Sequence, residues 1–117
     1  MAKSGRDLLE AARRDVPEIT ADEVHALQKE GKEIALIDVR EPDEFRAGYI
    51  LGAEHVSRGF LELKIEHVLP DRETPIVTYC AGGVRSLLAG QVLKEMGYQD
   101  VRSMAGGYGK WKDLGLP

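Results

Sequence analysis

Two apolar runs constrain the fold of this 117-residue chain more than any other feature of its sequence. Residues 34–37 read Ile-Ala-Leu-Ile, and residues 75–80 read Pro-Ile-Val-Thr-Tyr-Cys. Neither run shows the alternation of polar and apolar residues that marks a strand with one solvated face. We therefore predict two strands that are buried on both faces, as in a parallel sheet covered by helices.

Helical patterns precede, separate and follow these runs. A capping box, Thr20 with Glu23, begins one helix that ends near Gly31, and the proline at position 42 suits the first turn of another that ends at Gly48. Further helices are predicted over residues 6–14, 59–67, 86–96 and around position 111, with short strands over 18–20, 53–56 and 101–104. Strands that alternate with helices imply right-handed crossovers. We therefore expect an α/β fold, a parallel sheet with helices on both faces.

The composition argues against several classes of protein. The single cysteine allows no internal disulfide bond and no multi-cysteine metal site, and the three histidines show no ligand spacing. A net charge of -4 without a basic block argues against nucleic-acid binding. No apolar run approaches the roughly 20 residues of a membrane span, and the N-terminus lacks the apolar stretch of a signal peptide. We expect a cytoplasmic domain with no membrane partner, metal or other cofactor.

The loop after the second run carries the candidate chemistry. Cys80 lies at the carboxyl end of its strand, where open parallel sheets bind their ligands. The loop that follows consists of Ala81, Gly82, Gly83, Val84, Arg85 and Ser86. Two adjacent glycines let the backbone curl, so that successive amides point inward and form an anion-binding nest at a helix N-terminus. We expect a sulfur in this nest to have a lowered pKa and to be a thiolate at neutral pH.

Two other interpretations of this loop compete with an anionic sulfur. A lone cysteine after a buried strand is most often an inert small apolar residue, but an inert residue needs no cationic, glycine-lined cradle. Cysteine phosphatases use the spacing C-x5-R, in which the amides surround a tetrahedral phosphoryl group, whereas Cys80 and Arg85 are spaced C-x4-R. The tighter ring suits one extra sulfur atom on Cys80. Loop length therefore favours sulfur transfer over phosphoryl transfer.

Four motifs together resemble a single-domain rhodanese, a sulfurtransferase. They are residues 36–45 (LIDVREPDEF), 48–53 (GYILGA), 80–86 (CAGGVRS) and 105–111 (AGGYGKW), and the resemblance covers residues 19–117. Tyr49 and Leu51 depart from the family's usual Gly-His-Ile-Pro-Gly-Ala, in a packing and turn segment. The resemblance implies a five-stranded, mainly parallel sheet between helices, the rhodanese-like α/β/α fold. We divide the chain into an N-terminal helical extension, residues 1–17, and a rhodanese-like domain, residues 18–117.

The resemblance also implies roles for the loop. Cys80 is the expected nucleophile, and the amides of residues 81–86 are expected to stabilise its sulfur anion. Ser86 can add a hydroxyl, although its more usual role at this place would be to cap the helix. Arg85 can orient an anionic donor, because a guanidinium matches oxyanion geometry, or it can brace the loop against a nearby carboxylate.

Charged residues elsewhere at the same edge of the sheet are further candidates. Asp38 and Arg40 end the first apolar run, and we expect them to organise loops rather than to act in chemistry. Arg58 follows the short strand over residues 53–56, so it is a candidate for the rim of the pocket, with an ordinary solvated arginine as the alternative. A hydrolase pair of Cys80 with His55 is conceivable, but the nest already activates the thiol.

The predicted function is transfer of sulfane sulfur from a small anionic donor such as thiosulfate, through a Cys80 persulfide, to cyanide, a thiol or a protein. A non-catalytic or regulatory rhodanese-like binding module is the alternative from another class, although such modules typically lack the cysteine. Rhodanese domains also work with adenylyltransferases that activate sulfur-carrier proteins, and we expect any such sulfur relay here to act in trans. Phosphatase or arsenate reductase activity is disfavoured by the missing loop residue.

Overall fold

The two apolar runs form neighbouring strands, β2 (Ala35–Asp38) and β4 (Ile76–Tyr79), which pair in parallel within one sheet. Ile37 and Ile76 belong to one buried cluster, and Leu36 and Val77 belong to another. Successive side chains of a strand point to opposite faces of the sheet. Both faces are apolar because each is covered by helices, which is why neither run alternates with polar residues.

A computed structural model describes residues 2–117 and gives the bounds of every element within them. The remaining strands are β1 (Glu18–Ile19), β3 (Glu54–His55) and β5 (Val101–Met104). The helices are α1 (Gly5–Asp15), α2 (Ala21–Lys29), α3 (Pro42–Ala47), α4 (Leu61–Val68), α5 (Arg85–Glu95) and α6 (Gly107–Asp113), with a 3-10 turn (Arg58–Phe60) before α4. The strand order is β1-β5-β4-β2-β3, and every pair is parallel. The predicted α/β fold with a five-stranded parallel sheet is confirmed.

Helices divide between the two faces of the sheet. Leu61 of α4 and Leu93 of α5 pack in the cluster that contains Ile37, whereas Val24 of α2 and Trp111 of α6 pack in the cluster that contains Leu36. Helix α1 packs on the outside of α5 rather than on the sheet. The layers are therefore α2 and α6, the sheet, and α4 and α5, with α1 beyond α5.

The two sequence signals predicted for the ends of α2 are found in the structure. The Glu23 amide donates to Thr20 Oγ1 at 3.1 Å and the Thr20 amide donates to Glu23 Oε1 at 3.0 Å, which completes the capping box of α2. Gly31 follows that helix with a φ of 70°, a backbone conformation that glycine adopts without strain. No helix within residues 2–117 is both long enough and apolar enough to span a bilayer.

The chain leaves the centre of the sheet in opposite directions from β2 and β4. From β2 it passes through α3 to the edge strand β3, whereas from β4 it passes through α5 to β5 on the other side. Crevices at such switch points, beyond the carboxyl ends of the strands, are where open α/β sheets bind ligands. Asp38 ends β2 and Cys80 directly follows β4, so the fold brings both polar segments to this point.

Candidate active site

Cys80 lies at the base of the loop between β4 and α5, with 1% of its surface exposed. The Gly83 amide donates a hydrogen bond to Cys80 Sγ at 3.1 Å, and the Ser86 amide donates to the same atom at 3.4 Å. Between Cys80 and Ser86, residues 81, 82 and 84 are exposed, Gly83 is buried and Arg85 is half-buried. The loop thus wraps around a single sulfur atom and points backbone donors at it.

Opposing effects act on the pKa of the Cys80 thiol. Burial raises this pKa, whereas hydrogen bonds from the Ser86 hydroxyl and from the amides of Ser86, Gly83 and Gly82 lower it by more. The result is a pKa below the ordinary value for cysteine. A lowered pKa increases the population of thiolate, which is the nucleophilic form.

Ser86 provides a hydroxyl to the site and does not cap the helix. Helix α5 begins at Arg85 and follows Val84, so the interpretation of Ser86 as the N-cap, and of the helix as beginning there, is wrong. The chain turns helical one residue earlier, which carries the Ser86 side chain inward. Its Oγ lies 3.5 Å from Cys80 Sγ and 2.7 Å from the Oγ of Ser103.

Ser103 belongs to this site, although the sequence offers no local signal for it. It lies on β5, and its Cα is paired with that of Thr78 on β4. Only the adjacency of these two strands brings its hydroxyl to the loop. Ser103 could have been predicted as a site residue only if the pairing of β5 with β4 had been known.

The start of α6 supports the backbone of the loop. The Tyr108 amide donates to the Cys80 carbonyl at 2.8 Å, and the Gly109 amide donates to the Ala81 carbonyl at 3.1 Å. Gly107 has a φ of 56°, and a Cβ on this residue would overlap both carbonyl oxygens. A glycine is therefore required where the two segments meet.

Arg85 extends toward α3, where it meets a carboxylate. Its Nη1 and Nη2 donate to Glu44 Oε1 and Oε2 at 2.8 and 3.2 Å. The hydrogen bond from Arg85 outweighs burial and holds the pKa of Glu44 at about 2. Of the two alternatives for Arg85, the structure shows the brace against a carboxylate, while 38% of the side chain stays exposed to solvent.

Asp38 and Arg40 form a buried ion pair beside the loop. Arg40 Nη2 lies 2.7 Å from Asp38 Oδ2 and also donates to the Gly48 carbonyl at 2.7 Å. Its guanidinium carbon lies 4.4 Å from the centre of the Tyr108 ring. The pair therefore connects β2, the turn after α3 and the start of α6. His55, weighed as a partner of Cys80, has its Nε2 2.8 Å from the Arg40 carbonyl oxygen instead.

Arg58 lies in the 3-10 turn before α4. Its Nη1 donates to Glu62 Oε1 at 2.9 Å. The residue lines a surface hollow together with Leu8 of α1 and Leu88 of α5. Arg58 therefore contacts α4 and the hollow between α1 and α5, and the structure describes no hydrogen bond from Arg58 to the loop of residues 81–86.

The groups that face Cys80 suit an anion better than a cation. They are backbone amides and a hydroxyl, with the Arg85 guanidinium nearby, all of which donate hydrogen bonds. Within residues 2–117, no group of three or more histidine, cysteine, aspartate or glutamate side chains is arranged to hold a metal ion. The site can therefore hold a negatively charged sulfur, and the donors surround it closely.

Comparison with known proteins identifies relatives over most of the chain. The family model for the rhodanese-like domain matches residues 20–114. A thiosulfate sulfurtransferase, GlpE, of Pseudoalteromonas translucida is 34% identical over 94 residues, which cover 79% of this chain and 84% of that protein. An uncharacterized protein, YqhL, of Bacillus subtilis is 40% identical over 76 residues, 65% of this chain and 59% of that protein.

Solved structures show the same architecture. A protein of unknown function from Rhodopseudomonas palustris, described as a possible tyrosine phosphatase, superposes with a TM-score of 0.91 at 32% identity and covers 100% of this chain and 95% of its own. A human single-domain sulfurtransferase superposes with a TM-score of 0.74 at 29% identity, covering 84% of this chain and 96% of its own. The first of these matches extends over α1 as well as the sheet.

Proposed function

The chain belongs to the rhodanese-like domain family, and on that premise we propose that it is a sulfurtransferase that carries sulfane sulfur as a persulfide on Cys80. The observation that carries this proposal is the convergence of the Gly83 and Ser86 amides on the Cys80 sulfur. These donors stabilise a negative charge on sulfur, and the C-x4-R loop is one residue shorter than the C-x5-R loop that surrounds a phosphoryl group in cysteine phosphatases. The small anionic donor is a thiosulfate-type molecule, since its outer sulfur is electrophilic and its sulfonate is a good leaving group.

The first step forms a sulfur–sulfur bond. The Cys80 thiolate attacks the outer sulfur of thiosulfate, the bond between the two thiosulfate sulfurs breaks, and sulfite leaves with that electron pair. The charge that began on Cys80 Sγ then lies on the added sulfur. Because the loop donors are rigid backbone groups, they hold the anion without reorganisation.

The second step returns the enzyme to its resting form. A cyanide ion, a thiolate or a protein acceptor attacks the outer sulfur of the persulfide, and the electron pair of the broken bond returns to Cys80. Cys80 is the only cysteine of the chain, so no internal thiol can resolve the persulfide. The sulfur therefore waits for an external acceptor, which also suits a relay in trans, and a thiol in this role suits the reducing cytoplasm.

Arg85 has a supporting role in this proposal. Its ion pair with Glu44 places a guanidinium at the edge of the loop, and its partial exposure leaves it able to attract an anionic donor. Asp38 and Arg40 act on the site by holding the segments around it, and no proton transfer is required of them. Arg58, which bonds Glu62, is given no role in the transfer.

Phosphoryl transfer is the second candidate, because one close structural neighbour is described as a possible tyrosine phosphatase. Arsenate reduction would need a comparable oxyanion cradle. The C-x4-R spacing and the position of the Arg85 side chain on Glu44 both weigh against a phosphoryl group in this loop. A purely regulatory module is a further alternative, and the presence of Cys80 in a donor-lined loop weighs against it.

One experiment distinguishes these functions. The full chain is incubated with thiosulfate, and its intact mass and the thiocyanate formed on adding cyanide are measured; a parallel sample receives p-nitrophenyl phosphate. We expect the wild type to gain one sulfur atom and to release thiocyanate, and Cys80→Ser to do neither. Phosphate release without sulfur uptake would replace sulfur transfer by phosphoryl transfer, and inertness toward every donor and ester would favour a binding module.

A further inference from the structure

A chain of buried hydroxyl groups continues from Cys80 into the sheet. Ser86 Oγ lies 3.5 Å from Cys80 Sγ, and Ser103 Oγ lies 2.7 Å beyond it, with both serines fully buried. Within residues 2–117, the only hydrogen bond described for the Ser103 hydroxyl is the one to Ser86. Three groups are thus joined by two hydrogen bonds.

The direction of these two bonds is set by which serine donates in the bond that they share. Each hydroxyl has one proton to donate and can accept as well. If Ser86 donates to Ser103, its proton is used and none is left for the sulfur. If Ser103 donates to Ser86, the Ser86 proton is available to Cys80 Sγ. While the two serines remain hydrogen-bonded to each other, Ser86 can donate to the sulfur only if Ser103 donates to Ser86.

We propose that Ser103 is a positioning residue for the Cys80 thiolate, whose hydroxyl donates to Ser86 and thereby turns the Ser86 proton toward the sulfur. Two protons fill two bonds when Cys80 is a thiolate. The thiol form adds a third proton, and none of these three groups is left to accept it. A buried donor without a partner is unfavourable. Donation along a chain also polarises each hydroxyl in turn, which strengthens the bond to the anion. The inference rests on the proposed function insofar as the thiolate is its nucleophile.

Thr78 provides a matched control. It is fully buried on β4 and its Cα is paired with that of Ser103, and its hydroxyl also bonds Ser86. That bond runs to the Ser86 carbonyl oxygen at 2.9 Å and not to the Ser86 hydroxyl. Thr78→Val therefore removes a buried hydroxyl at the same depth while leaving the chain to Cys80 intact.

The test measures the pH dependence of Cys80 alkylation by iodoacetamide on the full-length variants. Since Cys80 is the only thiol, the rate reports on it alone. We expect Ser103→Ala to raise the pH at which the alkylation rate is half of its maximum, because the bond that polarises the Ser86 hydroxyl is lost. At a pH below that midpoint, the thiolate fraction should be about threefold to tenfold lower than in the wild type. Thr78→Val should keep the wild-type midpoint. Ser103→Gly removes the same hydroxyl and replaces Ser103→Ala if circular dichroism shows that the alanine variant does not fold.

A double variant tests the route through Ser86. In the Ser86→Ala background, loss of the Ser103 hydroxyl should leave the midpoint where Ser86→Ala alone places it. A wild-type midpoint in Ser103→Ala, an equal rise in Thr78→Val, or a further rise in the double variant overturns the proposal. No sulfur donor is present in these assays, so a failure to take up sulfur from thiosulfate would count against the proposed function alone.

Discussion

The Glu44 carboxylate is the residue whose titration has the clearest consequence for stability. Arg85 holds its pKa at about 2 in the folded protein, whereas its usual value is 4.5. A carboxylate with a depressed folded pKa stabilises the fold above its unfolded pKa, and this contribution is lost as pH falls from 4.5 toward 2. The pair is partly exposed, so its contribution is screened by solvent.

Glu44→Gln should therefore destabilise the protein at neutral pH and not in acid. We expect a loss of about 1 kcal/mol or less at pH 7, as for other exposed ion pairs. Urea unfolding of both proteins, followed by circular dichroism from neutral pH down to about pH 2, measures the difference, which should shrink as the wild-type carboxylate is protonated. A difference that stays constant over this range would show that Glu44 acts through packing and not through charge.

At the scale of elements, the buried ion pair of Asp38 and Arg40 joins three segments that are distant in sequence. Arg40 is buried; it donates to Asp38 at the end of its own strand and to the Gly48 carbonyl, and its guanidinium lies over the Tyr108 ring. A buried charge that loses its partner has neither water nor a counter-ion. The integrity of the loops around Cys80 thus depends on both members of the pair being present.

Arg40→Met should be strongly destabilising, because it leaves the Asp38 carboxylate buried and unpaired. We expect a loss of about 3–5 kcal/mol in the free energy of unfolding, measured by urea titration. The double variant with Asp38→Asn is the control, and it should be less destabilised than Arg40→Met because no uncompensated charge remains. Equal losses in the single and double variants would contradict the buried-charge argument.

At the scale of the whole molecule, α1 is attached to the rest of the fold through α5. Gly90 of α5 faces Val16, and a Cβ on Gly90 would lie 2.8 Å from Val16 Cγ1. Gln91 Nε2 donates to Asp15 Oδ2 at 2.9 Å, and Lys94 Nζ donates to the Asp15 carbonyl at 2.7 Å. A Cβ on Gly90 would also lie 3.5 Å from Val101 Cγ1 of β5, and all these contacts involve residues 90–94 of α5. The loop at Cys80 lies before the first residue of this helix, so we expect that α1 can be loosened without altering the loop.

Gly90→Val tests this separation of stability from chemistry. Overpacking against Val16 should cost about 1–3 kcal/mol, seen as a lower midpoint of thermal unfolding and faster proteolysis of α1. Sulfur uptake from thiosulfate at 25 °C should match the wild type. Gly5→Ala is the control, since a Cβ at Gly5 meets no atom within 4 Å and should leave stability nearly unchanged. If Gly90→Val lost sulfur uptake while folded, α1 and the site would be coupled.

Much of the fold and the centre of the candidate site could be predicted from the sequence, because their causes are local. An apolar run without alternation requires burial on both faces, and this holds for β2 and β4 wherever they lie in the sheet. The capping box of α2 and the glycine pair after Cys80 likewise act through neighbours a few residues away. Fold class, strand succession and the loop around Cys80 follow from such patterns.

What only the tertiary structure decided depends on which strands and helices are neighbours. Ser86 and Ser103 are 17 residues apart, and Arg85 and Glu44 are 41 apart, so no sequence window contains either contact. Because α5 starts one residue earlier than expected, the Ser86 hydroxyl does not cap the helix and lies beside the sulfur. Sequence by itself determined that a thiol would lie in a glycine-containing loop at the carboxyl edge of a parallel sheet, and the structure points the amides of this loop at the sulfur. The strand order decided which hydroxyl and which carboxylate complete it, because long-range packing alone brings those groups within hydrogen-bond distance.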